Sequence, residues 1–209
     1  MNICTYILNL PHRSDRKKDC LLQISAAGLN EKFVHFIDAK YTPRNGAIGC
    51  SLSHAFALSK FLFETDAPFC LILEDDFEIK NPATFFNDLN CVILKKDFWD
   101  VLLLASNAAV GFETHIPNVY RAINAQTTSA YIVRREYAPT LIKVFYESAN
   151  FLSQNFLQLE NNIAKHFYAL DMLWKHHQQY DKFMAFMPQL IHQRESYSDV
   201  ENSVKDYKV

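Results

Sequence analysis

Short, almost wholly apolar runs alternate with longer amphipathic stretches along this chain. The runs predict buried strands over Ile3 to Leu10, Phe33 to Ile37, Phe69 to Leu73 and Val101 to Leu104. A helix is expected from Asp15 to Ala27, with Ser14 as N-cap, Cys20, Leu21, Ile24 and Ala27 inward, and Gly28 as the stop. A second helix is expected from Gly49 to Phe63. Leu52, Ala55, Phe56, Ser59 and Phe63 mark its inward stripe, and Cys50, Ser53, His54 and Ala57 share a stripe of smaller residues. Further helices are expected from Pro82 to about Leu94, Ala138 to Ser148 and Ala169 to Gln179. Val119 to Ile123 and Thr128 to Val133 read as strands able to pair with each other. Phe183 to Ile191 reads as extended, with Pro188 near a sheet edge. Ala105 to Pro117 reads as loop, and Phe151 to Ile163, rich in Asn and Gln, as an ambiguous segment.

The β-α-β order at the start favours an α/β fold with a mostly parallel central sheet flanked by helices, Rossmann-like in its first half. No internal repeat or composition shift divides the chain, so residues 1–209 are expected to form a single domain with a polar, frayed tail from about residue 195.

With 49% hydrophobic and 21% charged residues, the composition is that of a globular chain. A net charge of -2 gives no electrostatic case for nucleic acid as a partner. The five cysteines make no CxxC spacing. No basic stretch leads into an apolar segment at the N-terminus. Together these read as reduced thiols in the cytoplasm. No window reads as a membrane span of about 18 apolar residues. Peripheral contact with a membrane stays open.

Chemistry concentrates where the run Cys70-Leu71-Ile72-Leu73 meets Glu74-Asp75-Asp76. Three carboxylates at the end of a buried strand repel one another, and a hard divalent cation, Mg²⁺ or Mn²⁺, would compensate them and neutralise a leaving nucleoside diphosphate. Ligands of open α/β sheets gather at that edge. The plain alternative is a solvated turn. The first loop offers Asn9, His12, Arg13, Arg16 and Lys17, and Arg13 or Arg16 could hold a diphosphate. Gly46 and Gly49 are two of only four glycines and precede Ser53 and His54 at a helix start suited to an anion. Asp171 is either a charge complementing its own helix or a general base. His192 could be a metal ligand. No Gly-x-Ser-x-Gly elbow is present, which disfavours nucleophilic hydrolysis.

Several segments resemble glycosyltransferase family 25, the lipooligosaccharide galactosyltransferase type. They are YILNLPHRSDRK, GAIGCSLSHAFALSKF, LILEDDFEI, FWDVLLL, TTSAYIVRR and ALDMLWK, and they span nearly the whole chain. The resemblance implies a GT-A-like fold and an inverting transfer of a hexose, galactose from UDP-galactose foremost, to a hydroxyl of a lipooligosaccharide or lipopolysaccharide core. By position it implies donor contacts from Asn9, Arg13, Gly46, Gly49, Ser53, His54, Glu74 and Asp75. It is consistent with metal contacts from Asp76 and Glu74 with His192, and with Asp171 as base. Tyr131 and Trp174 are candidates to stack on a sugar face. A lipid-linked acceptor would place the protein on the inner face of the cytoplasmic membrane. Two other readings compete: a metal-dependent nucleotidyl- or phosphotransferase using the same acids, and a nucleotide-sugar-binding module without turnover.

Overall fold

Strand β3 (Phe69–Glu74) is buried on both faces, and the sheet is built outward from it. The computed structural model describes residues 3–43, 45–95, 97–107, 110–155, 161–198 and 203–205. Beside β3 on one side lies β1 (Cys4–Asn9), followed by β2 (Val34–Asp38), both parallel to it. On its other side lies β8 (Ala130–Arg134), antiparallel, and then β5 (Val101–Leu103), which restores the original direction. β9 (Phe183–Phe186) runs with β5. β7 (Val119–Ala122) and β6 (Val110–Glu113) close that edge in an antiparallel hairpin. Of the eight strands only β8 and β7 oppose the rest, so the sheet is mostly parallel in direction. β4 (Phe77–Ile79) pairs with β10 (Ile191–Gln193), and β11 (Ser196–Ser198) with β12 (Ser203–Lys205), outside the main sheet.

Alternation along β3 explains why its sequence is continuously apolar. Leu71 and Leu73 enter one core with Cys20 and Ile24 of α1 (Ser14–Ala26) and Phe85 and Leu89 of α3 (Phe85–Ile93). Cys70 and Ile72 enter the other core, with Leu58 and Phe61 of α2 (Gly46–Glu64), Leu141 and Phe145 of α4 (Ala138–Gln154) and Trp174 of α6 (Leu170–Gln178). α5 (Asn161–Tyr168) adds Ala164 to a small cluster with Ala47 and Leu152. Within the stretch that reads as ambiguous, α4 reaches Gln154 and α5 begins at Asn161, and residues 156–160 lie outside the described residues. This helix–sheet–helix sandwich is the α/β architecture with a mostly parallel central sheet expected from the sequence.

Five expectations need correction. β7 and β8 do not pair; β8 is inserted between β3 and β5 instead. The inward face of α2 is the small-residue stripe with Ala55, Leu58 and Phe61, whereas Phe56 and Phe63 are exposed. Small side chains let α2 approach α4, where Ser51 and Ser148 hydroxyls meet at 2.8 Å. Pro188 follows β9, an interior strand, and is not at an edge. The polar tail carries the β11–β12 hairpin, and the loop after Ala105 contains β6. Helix α2 is long and apolar enough by composition to cross a membrane, yet half of that window is buried inside this fold.

Candidate active site

The C-terminal ends of parallel β1 and β3 lie side by side, with Leu8 opposite Glu74. That register sets Asn9 next to the acidic turn, and its side-chain amide donates to Asp75 Oδ2 at 2.7 Å. The N-terminal part of α1 docks over the same edge. Arg16, nearly buried, donates through Nη1 to Asp75 Oδ1 and to Asp76 Oδ2, the latter at 3.3 Å. Gln193 Nε2 also donates to Asp76 Oδ2, at 3.2 Å. The protein therefore supplies its own positive charge to the two aspartates, which explains how they lie buried.

Because β8 runs backwards, its leading residues Thr127 to Ser129 arrive at this edge too. Thr128 Oγ1 donates to Glu74 Oε1 at 3.1 Å. Thr127 has φ +81°, a left-handed conformation that costs a β-branched residue on the order of 1–3 kcal/mol. Its backbone N–H donates to Asp171 Oδ2 at 3.1 Å, tying the strained residue to α6. From the other side α2 contributes His54, whose Nε2 lies 3.3 Å from Glu74 Oε1 and whose Nδ1 lies 3.1 Å from the Tyr131 hydroxyl.

These groups surround one cavity of about 570 Å³, the size range of small-molecule sites. Glu74, Asp75, Asp76, Gly46, Ser53, His54 and Asp171 all line it, as do Arg16, Lys40 and Lys165. The start of α2 faces it through Gly46 and Ala47, and that helix has no side-chain N-cap bond. The Asn45 amide beside it is buried without a hydrogen-bond partner among the described residues. Gly49 has a packing role: a Cβ there would lie 2.1 Å from the Lys40 carbonyl oxygen. Ser53 Oγ accepts the Lys40 N–H at 2.8 Å and fixes the same loop.

The carboxyls differ in proton affinity. Burial, reinforced by the charge of Glu74, pushes Asp76 up to about 6 against the pull of Arg16. Burial also raises Asp171, with the Thr127 N–H acting in the opposite direction. Burial would raise Glu74 as well, but the His54 ring, the Thr128 hydroxyl and Arg16 together hold it below the ordinary range. Glu74 and Asp76 are oxygen donors of the kind that Mg²⁺ and Mn²⁺ take.

Not every expected residue joins the site. His192 faces away from it and lies 3.7 Å from Glu78, because Gln193 is the residue of β10 whose side chain turns to Asp76 and strand neighbours alternate. Arg13 pairs with Asp15 at 3.0 Å at the start of α1 and does not line the cavity. Asn9 acts through Asp75. Tyr131 and Trp174 are fully buried, with Trp174 Nε1 donating to the Ala125 carbonyl at 3.0 Å, so neither can stack on a sugar. Thr127, Thr128, Gln193, Lys40 and Lys165 were not legible as site residues. Only the TTSAYIVRR segment hinted at the first two.

No family model and no curated protein matches the sequence. Among solved structures, the chain is similar to A197 from STIV, with TM-score 0.52, 9% identity, 99% of this chain and 96% of that one covered. At that identity the likeness is one of fold. A mannose-1-phosphate geranyltransferase from Thermus thermophilus aligns at TM-score 0.49 and 8% identity, over 89% of this chain and 74% of its own. A glycosyltransferase involved in glycosylation of the major capsid of PBCV-1 aligns at TM-score 0.42 and 9% identity, over 88% and 94%.

Proposed function

We propose that this protein is a glycosyltransferase that takes a hexose from a nucleoside diphosphate sugar, UDP-galactose foremost, and moves it to a hydroxyl of a lipooligosaccharide or lipopolysaccharide core. The observation that carries the reading is the convergence of Glu74, Asp76, Asp171 and the start of α2 on one cavity at the strand ends. Helix N-termini favour anions, and Gly46 at the start of α2 lines the cavity where a diphosphate would lie. Lys40 and Lys165 line the same cavity and add positive charge to that side.

Glu74 and Asp76 would hold a hard divalent cation, which when bound neutralises charge on the departing diphosphate. Asp171 is the proposed base. Its carboxylate takes the proton of the acceptor hydroxyl as that oxygen bonds to the anomeric carbon. The bond from that carbon to the diphosphate oxygen breaks on the opposite face, inverting the centre and releasing UDP. Arg16 and Asn9 hold the acidic turn in place. A lipid-linked acceptor would locate the reaction at the cytoplasmic face of the membrane.

The test is UDP release from a panel of UDP-sugars, with and without Mn²⁺, in the presence of lipooligosaccharide fragments. The reading expects release with one or few sugars and a product heavier by one hexose. Pyrophosphate release would replace it with nucleotidyl transfer. Binding of UDP without any turnover would reduce the protein to a binding module.

A further inference from the structure

One wall of the cavity carries a second donor set, which shares Glu74 with the cation proposed above and adds Cys50 and His54, which the transfer chemistry does not use. Cys50 and His54 are four residues apart on α2 and so share one face of the helix. Glu74 projects towards them from the end of β3. The Cys50 sulfur, a His54 ring nitrogen and a Glu74 carboxylate oxygen all lie within 4.8 Å of one another. We propose that Cys50, His54 and Glu74 form a binding site for a borderline transition-metal cation, zinc foremost, with an open coordination position facing the cavity.

The donor set decides the metal. A thiolate and an imidazole with one carboxylate suit zinc or cobalt(II), whereas Mg²⁺ and Mn²⁺ prefer oxygen alone. Bonds of about 2.0–2.3 Å place tetrahedral donors roughly 3–4 Å apart. His54 Nε2 and Glu74 Oε1, at 3.3 Å, already have that spacing. The Cys50 sulfur lies within 4.8 Å of both and would have to approach them to complete the third side. Supporting contacts are in place as well. The Tyr131 hydroxyl lies 3.1 Å from His54 Nδ1, orienting the ring so that Nε2 faces Glu74, and Thr128 holds the Glu74 oxygen. Cys50, His54 and Glu74 all line the cavity, which leaves the fourth position to water or a ligand. Three protein ligands with one open position is the arrangement of reactive rather than purely structural zinc sites. The site rests on these side chains alone and would stand even if the chain transferred no sugar.

The test adds Co²⁺ to the full-length reduced protein and follows its absorption. One equivalent should produce a thiolate-to-cobalt charge-transfer band in the near ultraviolet together with the visible bands of a four-coordinate ion. Zn²⁺ should displace both. Cys50→Ser should abolish the charge-transfer band, and Tyr131→Phe should weaken cobalt binding about tenfold through the lost orienting bond. Absence of the band in the parent protein, or its persistence in Cys50→Ser, would overturn the proposal. Should circular dichroism show that Cys50→Ser is unfolded, alkylation of the parent decides. Zinc protection mapped to the Cys50 peptide upholds the site, and equal labelling with and without zinc overturns it.

Discussion

Arg16 Nη1 lies 3.3 Å from Asp76 Oδ2, joining the first helix to the acidic turn 60 residues further along the chain. The same guanidinium also bonds to Asp75, and all three side chains are nearly buried. Removing the guanidinium takes the shared positive charge away from two desolvated carboxylates. Arg16→Met should therefore destabilise the fold by about 3–5 kcal/mol, read as the shift in a urea unfolding midpoint. A variant as stable as the parent would mean that the acids are neutralised by something else.

Gly49 tests how α2 is seated. An added Cβ meets the Lys40 carbonyl oxygen at 2.1 Å and Thr42 Oγ1 at 2.6 Å, and the first of these is backbone. Gly49→Ala should cost about 1–3 kcal/mol by overpacking, seen as a lowered thermal midpoint. It should also weaken UDP binding, since the displaced loop lines the cavity. An unchanged midpoint would show that the loop yields freely.

Asp171 gives a pH dependence with a definite sign. Its folded pKa is raised by burial above that of an exposed aspartate, about 3.9. As the base it must be ionised, so transfer should fall on an acid limb lying above that ordinary value. Stability moves the other way. Above the folded pKa the buried charge weakens the fold. As pH falls through that value a proton relieves the penalty, and below the ordinary pKa the relief is complete. Asp171→Asn should lose transfer while being at least as stable as the parent at neutral pH. Near-normal turnover in that variant would remove Asp171 from the mechanism.

The thiols should sort by environment. Cys20 and Cys70 are fully buried; burial pushes the Cys20 thiol up to about 12 and raises Cys70 well above the ordinary range. Cys91 is exposed. Alkylation of the native protein followed by peptide mapping should label Cys91 and spare Cys20 and Cys70 until denaturant is added. Rapid labelling of Cys20 would indicate that α1 opens from the sheet.

Local pattern was enough for the strand ending at Glu74, because an apolar run stopped by three acids has few other readings. It was also enough for the helix that follows Pro11 and for the body of α2, although the pattern began that helix at Gly49 and it begins at Gly46. Long-range placement was not legible. Arg16 was visible as one base among several in the first loop, but its burial depends on how α1 docks across the ends of β1 and β3. His192 and Gln193 differ by one residue, and only the pairing of β10 with β4 decides which faces Asp76. Phe56 and Phe63 suggested the wrong face of α2, since large apolar side chains look inward until the close approach of α4 calls for small ones. The left-handed Thr127 leaves no mark in composition, and it is what turns its N–H towards Asp171.

The most direct measurement is a crystal structure of the protein soaked with UDP and Mn²⁺. The diphosphate should lie in the cavity between the start of α2 and the Glu74–Asp76 turn, with manganese density against Asp76. Nucleotide density on another surface, with that cavity holding only water, would contradict the proposed donor site.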